Sequence, residues 1–317
     1  MKLILDVDTG TDDAVAIMMA ALNPSLDLIA CTTVRGNLPV EETTGNTLAV
    51  LDHIGATGIP VYRGLDRAFT PLHTPALSTR GVTGTQRMHP VSLGLDAPTS
   101  REQSATAVEF LVETLRSTTE QITLVPVAPL TNIAAAVTCD PKIVDAVAEV
   151  VIMGGAHAFG NVTPAAEANI WHDPYAADVV FQAGFERLVL VPLDATHQAL
   201  IDQAQADELA ALGTPAAEAA SRFISHRIAV HDESQPQPIP HSAAVHDALC
   251  IAYLLDPEVL DLEHLHVGIE TTGQRTFGRT VVDVRRRGAE APNAFVATSA
   301  DRQRFFELMR DSMKPAA

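Results

Sequence analysis

Residues 1–22 read MKLILDVDTGTDDAVAIMMAAL. The apolar run up to Val7 has the length of one buried strand, and it ends among Asp6, Asp8, Asp12 and Asp13. Apolar residues resume at 14–22 and stop before Asn23-Pro24, as a helix with an acidic first turn does. A strand that passes through a polar turn into a helix is the opening half of a βαβ unit. Working outward, the sequence predicts further strands at 26–33, 59–62, 122–127, 149–153 and 188–193. Helical segments fall between them. Val108, Leu111, Val112 and Leu115 repeat at helical spacing, and 141–148, 174–182 and 247–255 behave similarly. Segments 281–284 and 295–297 read as late edge strands, and 301–313 as a closing helix. The alternation predicts an α/β fold, a single domain over residues 1–317 with a mostly parallel, Rossmann-like open sheet flanked by helices.

Composition narrows the function classes. Of 317 residues, 47% are apolar, enough for a sizeable core and too many for a disordered chain. Lys plus Arg number 21 against 39 Asp plus Glu, a net charge of −18, and the densest basic cluster is Arg285-Arg286-Arg287. That balance argues against sequence-independent binding of nucleic acid. Cys31, Cys139 and Cys250 stand far apart in apolar stretches with no zinc-ligand spacing, so they read as small buried hydrophobes in a reducing compartment. The N-terminus reads as a strand rather than a secretory leader, and no apolar run reaches transmembrane length, so a cytoplasmic protein is expected.

Two stretches lack periodicity. Residues 64–100 are rich in Pro, Gly and Thr, and residues 235–240 read QPQPIP. Long loops in α/β domains are often functional, so both are expected near the site.

In an open parallel sheet, ligands bind at the carboxyl ends of the strands. There the chain places Asp6, Asp8, Asp12 and Asp13 after the first strand, then Arg35, Gly36 and Asn37 after the second. Gly154-Gly155, Asn161, Glu167 and Asn169 follow the fifth, and Asp194, Thr196 and His197 the sixth. Four carboxylates within eight residues repel one another, and a hard cation with a taste for oxygen would relieve that. An EF-hand loop beginning at Asp6 fails at Gly10, Thr11 and Ile17. A haloacid-dehalogenase-type phosphatase motif fails at Gly10, where that family carries threonine.

Six motifs carry a more specific resemblance. DVDTGTDDAVA at 6–16, TTVRGN at 32–37, PLTNIA at 129–134, MGGAHAFGNVTPAAEANI at 153–170, LDATHQAL at 193–200 and AVHD at 244–247 occur in order. In these the chain resembles the inosine-uridine-preferring nucleoside hydrolases. The resemblance implies that family's fold, hydrolysis of the N-glycosidic bond of ribonucleosides to ribose and free base, and a bound calcium ion. It implies Asp8, Asp13 and Asp247 as calcium ligands, with Val127 giving its backbone carbonyl. Asp8 would also be the base that activates water, and His246 the acid that protonates the leaving base. Ribose contacts would fall to Asp12, Asn37, Met153, Asn161, Glu167, Asn169 and Asp247. Amides and carboxylates suit hydroxyls that both donate and accept. A role in purine or pyrimidine salvage, a small ribonucleoside as partner, and a homodimer or homotetramer are implied as well.

The chain departs from the family pattern in two places. Where many members carry a loop histidine before Gly-x-Ser/Thr-Gly, this chain has Arg80-Gly81-Val82-Thr83-Gly84, with His73 and His89 out of register. Where some place base-contacting tyrosines, it reads HRIAVHDES, offering Arg227 and His231. The nucleobase preference is therefore left open. So, from the sequence alone, are two other readings, a nucleoside- or ribose-binding protein without turnover and a metal-dependent phosphohydrolase.

Overall fold

In the computed structural model, which describes residues 1–70, 88–235 and 237–315, β1 (Lys2–Val7) is buried from Leu3 onward and leads directly to α1 (Thr11–Leu22). There follow β2 (Asp27–Thr33), α2 (Val40–His53) and the short β3 (Val61–Arg63). After the long connection come α3 (Ala107–Ser117), β4 (Ile122–Pro126), α4 (Thr131–Cys139) and β5 (Val147–Met153). Two short helices, α5 (Ala168–His172) and α6 (Pro174–Phe181), precede β6 (Leu188–Val191) and α7 (Leu193–Thr196). Then β7 (Leu200–Asp202), α8 (Gln203–Ala210), α9 (Pro215–Ser234), β8 (Ser242–Ala244) and α10 (His246–Leu255) build one flank. The chain closes with β9 (Leu260–Leu265), β10 (Val267–Ile269), β11 (Thr280–Val282), β12 (Ala294–Ala300) and α11 (Arg302–Ser312).

Eight strands form the central sheet in the order β3-β2-β1-β4-β5-β6-β12-β9, and two antiparallel pairs, β10-β11 and β7-β8, stand outside it. Every neighbour pair in the main sheet is parallel except β12-β9. The chain leaves β1 for β2 and β3 on one side and returns to β4 on the other, so the strand order reverses between β1 and β4. That reversal opens a crevice at their carboxyl ends, where Asp8 and Val127 stand. Alternate residues of β1 face opposite layers, as a period of two requires. Leu3, Leu5 and Val7 pack in the core under α1, α9, α10 and α11, whereas Ile4 joins the core under α3, α4 and α6.

The first six expected strands are present within two residues at each end. Three expectations are corrected. Segment 141–148 is a 3-10 turn (Pro141–Ala146) running into β5, because the strand begins at Val147 and leaves too short a stretch after α4 for a regular helix. Segment 295–297 lies inside β12, which is not an edge, since it sits parallel to β6 and is covered by antiparallel β9. Cys139 is exposed at the end of α4, while Cys31 and Cys250 are buried as expected. Segment 281–284 contributes β11 to the small outer pair. Among the described residues, no helix is long and apolar enough to cross a membrane.

The long connection is tied at both described ends. Asp173 is fully buried at the start of α6, where it accepts from the N–H groups of Phe69 (2.8 Å) and Thr70 (3.1 Å) and from the Thr131 hydroxyl (2.8 Å). Asp52 accepts from Thr99 N (2.6 Å) and Ser100 N (2.9 Å) at the far end. Residues 71–87, including His73 and the Arg80–Gly84 motif, lie outside the described residues.

Asp173→Ala removes a helix cap and leaves the buried Thr131 hydroxyl and Ala176 N–H without their acceptor, so it should destabilise the fold by about 2–4 kcal/mol. Denaturant melts monitored by circular dichroism will show this as a lower midpoint with an unchanged slope.

Candidate functional site

The crevice floor is acidic. Asp8 follows β1 and is 1% exposed; its Oδ2 accepts from Asn37 N at 2.5 Å, and its own N–H donates to Asp13 Oδ1 at 3.1 Å. A Cβ on Gly36 would fall 2.1 Å from Asp8 Oδ2, which explains the glycine in TTVRGN. Asp13 also accepts from Gly10 N at 2.9 Å, fixing the carboxylate against the turn that starts α1. Asp247 arrives in the first turn of α10, a helix packed against α1. One carboxylate oxygen each from Asp12, Asp13 and Asp247 come within 4.8 Å of one another, and all three residues are buried.

Of the expected calcium ligands, Asp13 and Asp247 thus stand together with Asp12 as their third member. Asp8 is held beside them by Asn37 and Asp13. The Val127 carbonyl faces Asn169, whose Nδ2 donates to it at 3.0 Å. Asp6 is set apart, because its Oδ1 accepts from Thr32 Oγ1 (2.5 Å) and Asn132 Nδ2 (2.8 Å) on the neighbouring elements. Burial pushes the Asp6 carboxyl up to about 7, its second oxygen being buried without a partner.

Electrostatics show what the floor lacks. Burial, then repulsion from Asp13, raises Asp8 well above the usual carboxylate range. Burial and the charge of Asp12 push Asp13 up to about 7, and burial with Asp12, Asp13 and Asp8 raises Asp247 strongly. Among the described residues, only Arg227 and His89 bring a basic nitrogen within 4 Å of these four carboxylates, both at Asp12. A buried, oxygen-only set with surplus negative charge fits a hard divalent cation.

The loop after β5 frames one wall. Glu167 caps α5, accepting from Asn169 N (2.8 Å), Ile170 N (3.2 Å) and Gly155 N (2.8 Å). Burial raises its carboxyl to about 7 against the pull of those donors. Asn169 Nδ2 also bonds the Met153 carbonyl at 3.1 Å, joining the ends of β4 and β5. Asn161 Oδ1 accepts from Ala168 N at 3.0 Å, holding the loop closed. These bonds bring Val127, Met153, Glu167 and Asn169 to one wall, with Asn37 opposite on Asp8.

Imidazoles gather on the remaining side. His246 opens α10, its Nδ1 lies 2.7 Å from Thr196 Oγ1, and its ring centre is 5.6 Å from that of His197. Burial first, then the positive charge of Arg227, lowers His246 well below the usual range. His89 lies over Gly10, with Nδ1 3.8 Å from Asp12 Oδ1, and a Cβ on Gly10 would fall 2.1 Å from that nitrogen. His231 Nδ1 accepts from Gln237 Nε2 at 2.6 Å, leaving a buried Nε2 without a partner. Burial lowers His89 to about 4 and His231 to about 3.

Sequence reasoning missed the Thr196 contact, the placement of His89 on Gly10 and the burial of Arg227. For His89 a signal existed in Gly10, a glycine with φ of −104°, for which turn geometry supplies no reason.

The chain is similar to known proteins along nearly its whole length. Residues 3–307 match the family model described as inosine-uridine preferring nucleoside hydrolase. Proteins named pyrimidine-specific ribonucleoside hydrolase RihA, from Escherichia coli O157:H7 and Shigella flexneri, are 37% identical over 314 residues, 99% of this chain and 98% of theirs. The solved structure of a purine-preferring ribonucleoside hydrolase from Gardnerella vaginalis is similar with a TM-score of 0.88 at 30% identity, covering 99% of this chain and 98% of that one. A plant nucleoside hydrolase is similar with a TM-score of 0.86 at 29% identity, covering 99% of both chains.

The raised carboxyls give a signed pH dependence. A group such as Asp13, moved from 3.8 to about 7 by folding, favours the metal-free fold at low pH, and that contribution is lost as pH rises through about 7. Added calcium should therefore raise the melting temperature more at pH 8 than at pH 5.5. Thermal melts with chelator and with calcium at both pH values check this; equal shifts would contradict it.

Proposed function

The chain belongs to the inosine-uridine preferring nucleoside hydrolase family, and from that premise we propose how its residues hydrolyse ribonucleosides to ribose and free base. The observation that carries the reading is the buried acidic floor at the strand-order reversal, with the imidazole of His246 one residue from Asp247.

Calcium is the proposed cation, held by Asp8, Asp13, Asp247 and the Val127 carbonyl; when bound it supplies positive charge that makes an adjacent water easier to deprotonate. Asp8 takes the proton from the attacking water. Its orientation is set beforehand by the Asn37 and Asp13 contacts, so little is left to arrange during reaction. Asp12, Asn37, Met153, Asn161, Glu167, Asn169 and Asp247 hold the ribose. As the base departs, positive charge develops on the sugar ring, and the acidic floor favours it, as in glycoside hydrolysis. His246, held neutral by its burial, donates a hydrogen bond from Nε2 to the leaving base and so stabilises the negative charge that develops there. A Thr196 hydroxyl that donates to Nδ1 leaves the ring proton on Nε2, the tautomer such a donation needs.

We further propose a preference for pyrimidine ribonucleosides. The support is 37% identity along nearly the whole chain to proteins named pyrimidine-specific, against 30% to a purine-preferring structure. A single catalytic domain over 1–317, loops 64–100 and 235–240 beside the site, a homodimer or homotetramer, and a cytoplasmic role in nucleoside salvage complete the proposal.

Asp8→Ala should lower kcat on uridine by about 10³-fold or more while the protein stays folded. His246→Ala should lower kcat on uridine by about 10²-fold but on a nitrophenyl riboside, whose leaving group needs no proton, by less than about threefold. Steady-state kinetics on both substrates, with uridine ranked against inosine by kcat/KM, test the assignments. A full-rate Asp8→Ala enzyme, equal losses in His246→Ala, or inosine ranked first would each overturn the corresponding part.

A further inference from the structure

Arg227 lies midway along α9, only 2% exposed. Burying a guanidinium is strongly unfavourable unless its charge is matched and its donors are used. Here Nη1 donates to Asp12 Oδ1 at 2.9 Å and to Thr11 Oγ1 at 3.2 Å, while Nε donates to the Ala244 carbonyl at 2.9 Å. Ala244 ends β8, two residues before His246 and three before Asp247. One side chain therefore joins α9 to the start of α1 and to the strand that delivers both α10 residues.

The contact falls on a carboxylate with two possible tasks. Asp12 lies within ligand distance of Asp13 and Asp247, so by position it could share their cation. A carboxylate oxygen already accepting from a guanidinium is a poor cation ligand, because the two positive charges repel. The same bond fixes the carboxylate plane and leaves one oxygen to accept a hydroxyl. We propose that Arg227 is a positioning residue that withholds Asp12 from the cation shared by Asp13 and Asp247 and holds it as the acceptor for a ribose hydroxyl. The proposal rests on the reading of Asp12 as a ribose contact.

Two quantities move in opposite directions if this is right. In R227M the freed Asp12 adds negative charge to the floor, so the metal-stripped full chain should bind calcium at least about threefold more tightly by calorimetry. Its preference for uridine over whichever of 2′-deoxyuridine and 3′-deoxyuridine lacks the contacted hydroxyl should fall by about tenfold or more in kcat/KM. R227K keeps the charge without the planar fork, so calcium affinity should stay within about twofold while part of the preference is lost. A merely structural Arg227 predicts weaker calcium binding in R227M and equal losses on all three substrates, and that result overturns the proposal. If R227M does not fold, R227K decides, since a lost preference at constant calcium affinity supports the proposal and any other pattern overturns it. D12N separates the two levels. A reduced preference in D12N but not in the Arg227 variants refutes only the role of Arg227, whereas an unchanged preference in D12N refutes the ribose role of Asp12 and the proposal with it.

Discussion

Carboxylates buried together repel, and the whole site is arranged around that repulsion. Asp8, Asp12, Asp13 and Asp247 are each at most 4% exposed, and solvent cannot screen them. Backbone N–H groups from Gly10, Asp8 and Asn37 relieve part of the strain, and Arg227 relieves Asp12. The remainder calls for a cation, which is what makes the crevice chemically useful. A pocket that is negative before substrate arrives also suits a sugar that becomes positive as its base leaves.

The fold meets this constraint through its strand order. Reversal between β1 and β4 places Asp8 and the Val127 carbonyl at adjoining strand ends, and after β5 Asn169 donates to the Val127 and Met153 carbonyls while Glu167 accepts from the N–H groups of Gly155 and Asn169. The far flank depends on packing of α1 against α9 and α10, which brings Asp247, His246 and Arg227 from more than two hundred residues away. Residues from both halves of the chain are needed, so the site forms only when the sheet and this flank are both in place.

Much of this was legible in the sequence, and the parts that were not share a cause. The strand β1, its acidic turn and the alternation to β6 follow from local periodicity, and the six motifs carried the family. Helix α2, one of the helical segments expected between strands, has no legible bounds because VEETTGNTLAVLDH is rich in β-branched residues and contains Gly45. It is held by tertiary bonds such as Thr33 to Thr44 and Thr9 to Thr47, each 2.7 Å. β12 read as an edge because nothing local in AFVATSA announces that β9 will cover it. Arg227 stood out only as a residue offered where some members place base-contacting tyrosines, because its partner Asp12 lies 215 positions away. In each case a long-range contact decided the outcome.

On the proposed reading, the acidic floor holds a cation without which ribose is not released. The direct measurement is reducing sugar released from uridine by the intact chain after exhaustive chelation, with residual metal quantified by emission spectrometry, and again after calcium is returned. Release should be lost on chelation and return with calcium at about one ion per chain. Undiminished release from protein shown to be free of metal would contradict it.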